Sequence, residues 1–144
     1  IEAVRKSSQE LRQRVTKQKV SISLVPDEIL PVMSGVFNAP IYGHNTWGSL
    51  FSDRQALALI TIVKLIKTAR ATIQREYDDS FSRAISTSLA LALDRLADFN
   101  SSLCVLNVVG GRGVVHTFGR QALPMVWDFM ETNPFNEVGA NLIV

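Results

Sequence analysis

The chain has 144 residues, 47% of them hydrophobic, with 15 Lys or Arg against 13 Asp or Glu and a formal net charge of +2. This composition is that of one globular domain with its own core, and it excludes a disordered chain. No apolar run approaches the ~20 residues of a membrane-spanning helix. The single cysteine, Cys104, cannot form an internal disulfide, so we expect a cytoplasmic protein in a reducing compartment.

The charge is unevenly distributed along the sequence. Residues 1–77 hold eleven Lys or Arg and six Asp or Glu, whereas residues 78–144 hold four and seven, so the two parts carry +5 and −3. A basic half can face nucleic acid and an acidic half can face another part of a larger protein, although a solvated surface gives the same pattern. Because the chain begins with Ile1 and not Met, we expect it to be a fragment of a longer protein.

The N-terminal part precedes the first strong helix signal. Residues 1–19 form a basic segment whose apolar residues, Val4, Leu11 and Val15, would make a thin stripe on a helix. The remaining residues, 20–144, are predicted to form one helical domain.

That domain opens with irregular structure. Alternation of apolar and polar residues over 20–24 predicts a short strand, which Pro26 and Pro31 would end. Residues 37–48 contain Asn, Pro, two glycines and three aromatic residues, and they predict a loop.

A long helix is predicted from Ser52 to about Tyr77. Ser52 is a favourable N-cap and Gln55 lies three residues later, so each side chain can satisfy a backbone N–H of the other. The apolar residues that share one face of this helix are Leu59, Ile62, Val63, Ile66 and Ile73.

A second helix is predicted directly after the polar residues 78–80, which end the first helix and cap the next one. Its apolar arc runs from Phe81 to Leu103, and Leu91 and Leu93 make its middle apolar nearly all round, so we expect a buried central helix. The short connection makes the two helices an antiparallel hairpin.

The C-terminal part predicts a change from strand to helix. Residues 105–109 and 114–117 flank a glycine-rich turn and predict a β-hairpin. A third long helix is predicted over 119–132, with Pro124 near its first turn and Pro134 at its end. The predicted fold class is therefore mainly α: an antiparallel helical hairpin, a third long helix and one small β-hairpin.

The sequence predicts no catalytic residue, metal ligand or cofactor-binding residue. The glycines around Arg112 lack the Lys-Ser/Thr of a phosphate loop and are followed by β-branched residues. Asp94 and Asp98, one helical turn apart, could bind a metal or share a proton. The favoured interpretation is an ion pair of Arg95 with Asp98 or with a carboxylate elsewhere, which would fix helix packing. His44, His116 and Cys104 are too few and too scattered for a structural zinc site, and Cys104 is interpreted as a small core residue.

The two tryptophans, Trp47 and Trp127, could stack on a base, but the favoured interpretation is that each fills a core or anchors a helix.

Three segments, residues 42–59, 89–104 and 118–135, occur in an order that resembles a family of adenine-specific DNA methyltransferases carrying a conserved domain of unknown function. One of the matching runs is Phe-Gly-Arg-Gln-Ala-Leu-Pro-Met-Val-Trp-Asp-Phe, from residue 118 onward. Residues 25–31 also look like the family's Pro-Asp-Glu-x-Leu-Pro turn. The resemblance covers about residues 24–135.

The resemblance implies a segment between two motif blocks. The family's S-adenosylmethionine loop, Phe-x-Gly-x-Gly, would lie upstream, and its catalytic Asp-Pro-Pro-Tyr motif would lie downstream. Neither occurs in this chain, and Asn133-Pro134-Phe135 has one proline and is interpreted as a helix stop. The resemblance therefore implies a non-catalytic segment of an S-adenosylmethionine-dependent methylase, without a cofactor of its own, that contacts duplex DNA or acts as a scaffold.

Two groups of residues are candidates for that contact. The first group comprises three cations on the polar side of the first predicted helix. The second comprises two Arg-Gln pairs, each in the first turn of a predicted helix, where they could read base edges or hold phosphate. Pairing of either arginine with an acidic side chain of the same protein is the alternative. The candidates are Arg54, Gln55, Lys64, Lys67, Arg75, Arg120 and Gln121.

A protein–protein interaction module is the competing hypothesis. Its apolar helices would form a homodimer or pack on the remainder of the parent methyltransferase, with no nucleic acid and no membrane involved. Salt separates the two hypotheses, because phosphate contacts weaken steeply as salt rises and a hydrophobic dimer survives it.

Overall fold

The computed structural model describes residues 2–17, 23–109 and 113–135. Within these ranges the chain forms three α-helices and one antiparallel strand pair, so the predicted fold class is confirmed. The helices are α1 (Glu2–Lys17), α2 (Asp53–Glu76) and α3 (Asp79–Asp98), and the strands are β1 (Val105–Leu106) and β2 (Val114–Val115). None of the helices described here is long and apolar enough to cross a membrane.

Helix α2 begins and ends where the sequence predicted. The Ser52 hydroxyl accepts a hydrogen bond from the Gln55 N–H at 3.3 Å, and the Gln55 carboxamide accepts one from the Ser52 N–H at 2.8 Å. This reciprocal pair satisfies two donors that the first turn would otherwise leave unpaired. Tyr77 is the C-cap.

Helix α3 follows α2 after two residues and packs against it as the predicted hairpin. The Asp78 carboxylate caps it by accepting a hydrogen bond from the Phe81 N–H at 2.8 Å. The expectation of a buried central helix is wrong, because only Ser82 and Leu96 are buried and Leu91 is 63% exposed. The reason is that α3 packs broadly on α2 alone among the described helices, which leaves its other side uncovered.

The helix predicted over residues 119–132 is also wrong. Leu123 pairs there with a distant segment: the Leu123 N–H donates to the Val36 carbonyl at 2.8 Å, and the Leu123 carbonyl accepts from the Asn38 N–H at 3.2 Å. Its side chain is buried in the main core. Tertiary pairing therefore replaces the helical hydrogen bonds, and Pro124 supplies no backbone donor to a helix.

The third long helix of the fold is instead α1, formed by the basic N-terminal segment. Leu11 is the buried residue of this helix, and it forms a small core with Ala56 and Ile60 of α2. The main core consists of Leu30, Ala39, Leu50, Leu103 and Leu123. Phe51 packs against both clusters, so the α1–α2 pair is joined to the main core directly before α2 begins.

The β-hairpin is confirmed, with Val105 opposite Val115 and Leu106 opposite Val114, although its strands are shorter than predicted. Its turn residues 110–112 lie outside the described part of the chain, as do residues 20–22 of the predicted first strand. The predicted loop contains the 3₁₀ turn Ala39–Tyr42, and a second 3₁₀ turn, Trp47–Leu50, leads to α2.

Candidate nucleic-acid interface

A groove of about 420 Å³ lies between α1 and α2 and carries four cationic side chains. Arg14 and Lys17 come from α1, and Lys64 and Lys67 come from α2. The apolar lining of the groove consists of Leu24, Ile60 and Val63. Two pairs of cations at i, i+3 spacing on neighbouring helices therefore converge on one depression.

The small core of Leu11, Ala56 and Ile60 holds the two helices together beside this groove. Arg14 adds a polar link, because its guanidinium donates to the Thr61 hydroxyl at 2.8 Å and to the Glu10 carboxylate at 2.6 Å. Glu10 offsets the charge of Arg14.

The other three cations of the groove are not offset in this way. Lys17, Lys64 and Lys67 form no ion pair with any residue that the structure describes. Three ammonium groups around one partly apolar groove repel one another and attract an anion. A phosphate is an anion of suitable size and charge for such a groove.

Arg75, the third cation predicted on α2, does not line the groove. It lies eleven residues beyond Lys64, which corresponds to about 16 Å along a helix, and its side chain is exposed. It could only meet a phosphate on an extended ligand that follows α2.

Gln55 and Arg54 have structural partners within the protein. Gln55 is only 2% exposed, and its amide nitrogen donates to the Asn100 carboxamide at 3.4 Å in addition to its capping bond. Arg54 donates to Glu131 at 2.9 Å, and the Ser52 hydroxyl donates to the same carboxylate at 3.1 Å. The alternative of intramolecular pairing is therefore confirmed for Arg54, and Gln55 cannot reach a base edge without losing two hydrogen bonds.

The Arg54–Glu131 ion pair should make a small contribution to stability that depends on salt. In a double-mutant cycle with Arg54→Gln and Glu131→Gln, we expect a coupling energy of about 0.2–1 kcal/mol, because both side chains are partly solvated. Urea unfolding at low and at high salt would measure it. A coupling that does not decrease with salt would contradict this interpretation of the contact.

Arg120 and Gln121 lie in a turn instead of the first turn of a helix, because residues 119–132 are not helical. The Ala122 N–H donates to the Arg120 carbonyl at 2.8 Å, and both candidate side chains are exposed. The helix-dipole argument for placing an anion beside them is therefore wrong, although their exposure leaves them accessible.

Asp98 organises a different region, at the end of α3. Its carboxylate accepts hydrogen bonds from the Phe118 N–H at 2.9 Å and contacts His116 Nδ1 at 2.8 Å. Arg95 forms no ion pair with Asp98 or with any other carboxylate that the structure describes, and it instead lies over the ring of Phe99. Among the described residues no group of three His, Cys, Asp or Glu side chains could hold a metal ion.

Three further sequence interpretations have mixed outcomes. Trp47 packs against the main core as predicted, whereas Trp127, also predicted to anchor a core, is 84% exposed and meets Tyr42 edge-on. Cys104 is buried, as expected of a small core residue. In the Asn-Pro-Phe segment, the Asn133 carboxamide accepts a hydrogen bond from the Phe135 N–H at 3.0 Å, which forms a local turn that ends no helix.

Sequence reasoning identified Lys64 and Lys67 but missed Arg14 and Lys17. These two residues recur at i, i+3 in the basic N-terminal segment, which was a usable signal for one cationic helix face. The docking of that face beside Lys64 depends on the long-range contact of Leu11, which has no local signature.

No protein-family model, curated protein or solved structure matches this chain.

Proposed function

We propose that the chain is a non-catalytic helical segment of an S-adenosylmethionine-dependent, adenine-specific DNA methyltransferase, and that the α1–α2 groove contacts the phosphates of duplex DNA. The observation that supports the DNA contact is the convergence of Lys17, Lys64 and Lys67 on one groove without carboxylate partners among the described residues. The resemblance of three ordered segments supports the parent family.

Neutralising two groove lysines should weaken duplex binding and its salt dependence together. For Lys64→Gln with Lys67→Gln, we expect the slope of log K against log salt to fall by about 1.8 in magnitude, because each lost phosphate contact removes about 0.9. Fluorescence anisotropy of a labelled duplex over a salt series would measure both quantities. The loss should be similar for duplexes of different sequence, since phosphates carry no sequence information.

The matched control removes the same charge elsewhere on the helical pair. Arg5 and Arg12 are exposed on α1 and do not line the groove, so Arg5→Gln with Arg12→Gln should leave the slope nearly unchanged. Equal losses in both double variants would indicate a diffuse charge effect and would contradict a site in the groove.

A specific observation favours the interaction module as a second candidate. Large apolar side chains are exposed along the α2–α3 hairpin, at Leu65, Tyr77, Phe81, Leu89 and Leu91. Of these, Tyr77 and Phe81 lie together, with ring centroids 4.9 Å apart, and a contiguous exposed apolar patch is typical of a surface that another protein covers. Measurement of the molecular mass at low and high salt tests this candidate: a dimer that persists at high salt supports it, and a monomer at both leaves DNA contact as the better function.

A further inference from the structure

A second cavity, of about 710 Å³, lies where the 3₁₀ turn Trp47–Leu50 meets the end of α3. Four aromatic rings line it: Trp47, Phe51, Phe99 and Phe118. Its volume is in the range of small-molecule sites, which are mostly apolar with a few polar groups. The charged side chains of its lining are Asp94, Arg95 and Asp98.

Planar groups stack on one another at the C-terminal end of α3. The His116 ring stacks on Phe99 with centroids 5.2 Å apart, and the Arg95 guanidinium lies 5.6 Å from the centre of the same ring. The contact with Asp98 at 2.8 Å holds His116 in place. This arrangement fixes the orientation of Phe99 and gives Arg95 a flat support.

Arg95 has unused hydrogen-bonding capacity in this cavity. Within the described ranges its guanidinium forms no ion pair or hydrogen bond and only rests on Phe99. A guanidinium plane is itself a stacking surface for nucleobases, and its five N–H groups can donate in the plane. Each oxygen of Asp98 already has one partner, Phe118 or His116, whereas no hydrogen bond or ion pair joins the Asp94 side chain to another described residue. Asp94 is therefore the freer carboxylate to accept from a ligand.

We propose that this aromatic cleft binds a nucleobase that carries an exocyclic amino group. The base would stack against the Arg95 guanidinium and the exposed ring of Phe118, with its amine donating to Asp94. Adenine, cytosine and guanine carry such an amine, and thymine lacks it. The inference goes beyond the phosphate-binding groove and does not depend on it.

The chemistry is shared by two sources, a free nucleoside and a base in single-stranded DNA. The test is a titration of the 144-residue chain with adenosine, then with oligo(dA) and oligo(dT), followed by NMR shifts of the Trp47 indole N–H. We expect saturable shifts at Trp47 with adenosine or oligo(dA) and weaker binding of oligo(dT). Binding of adenosine alone would identify a free nucleoside as the source, and binding of oligo(dA) alone would identify single-stranded DNA.

Two exposed side chains can be changed without touching the core. Arg95→Ala and Phe118→Ala should each reduce the affinity about tenfold, within the range measured for loss of one base-stacking contact. Arg95→Lys keeps the charge but loses the flat guanidinium, so we expect it to resemble Arg95→Ala. The controls, Phe135→Ala and Arg83→Ala, remove an exposed phenylalanine and an exposed arginine that do not line the cleft. Both should bind adenosine with the affinity of the unsubstituted chain.

Absence of any saturable shift at Trp47 in the folded protein would overturn the proposal, as would unchanged affinity in the Arg95 and Phe118 variants. The groove proposal is tested by a different readout, since Lys64→Gln with Lys67→Gln should change duplex binding and its salt slope but not the binding of adenosine. It fails if duplex binding stays unchanged in that double variant. The two proposals can therefore fail separately.

Discussion

Replacing Leu30 by Ala is expected to lower the free energy of unfolding by about 2–5 kcal/mol, as large-to-small changes in well-packed cores do. Leu30 is 1% exposed and packs in the main core with Leu50, Leu103 and Leu123. The protein loses the transfer free energy of the removed methyl groups and gains a cavity in their place. The surroundings can collapse only partly, because the Leu30 N–H still donates to the Asn45 carbonyl at 2.9 Å and holds the backbone in place.

The matched control is Leu91→Ala on α3. Leu91 is the same residue type but is 63% exposed, and alanine is favourable in a helix interior. We expect its free energy of unfolding to change by no more than about 0.5 kcal/mol. Urea unfolding of both variants would measure the difference, with the slope against denaturant used to check that each variant unfolds in one step. If Leu91→Ala were as destabilising as Leu30→Ala, a partner surface would already cover α3 in solution.

The helix boundaries could be predicted because the interactions that set them are local. Ser52 and Gln55 exchange hydrogen bonds across three residues, and Asp78 caps α3 in the same way, so the sequence alone contains both partners. The same locality explains one conflict in the site prediction. Gln55 cannot cap α2 and also read a base, and the capping geometry prevails.

What could not be predicted depends on contacts between distant segments. The segment around Leu123 resembles a helix in its spacing, but its backbone pairs with Val36 and Asn38 more than 80 residues away. The exposure of Leu91 follows from the number of neighbours that α3 has, which periodicity does not encode. The groove was half predicted for the same reason, since Lys64 belongs to a recognisable helix face whereas Arg14 joins it only through tertiary packing.

Replacing Gly48 by Ala is expected to destabilise the chain by about 1–3 kcal/mol, the usual cost of an overpacked site. Gly48 is buried, and an added Cβ would overlap the Pro26 carbonyl oxygen and the Val25 side chain. The Pro26 oxygen cannot move aside cheaply, because it is backbone and accepts a hydrogen bond from the Gly48 N–H at 2.8 Å. If the segments around Pro26 and Gly48 moved apart instead, the loss of that hydrogen bond would cost about 1 kcal/mol.

The same substitution should also change the shape of the aromatic cleft, because Pro26 and Trp47 both line it. We therefore expect Gly48→Ala to lower the urea midpoint and also to weaken binding of adenosine. Gly119→Ala is the comparison: its new Cβ would lie 3.3 Å from the His116 carbonyl oxygen, so a shift of a few tenths of an ångström accommodates it and the stability loss should be smaller. If Gly48→Ala kept full stability, residues 24–26 would have to yield without cost, and Pro26 could not be a fixed wall of the cleft. Loss of stability with unchanged adenosine binding would place the ligand against Arg95 and Phe118 alone, away from the Pro26 side.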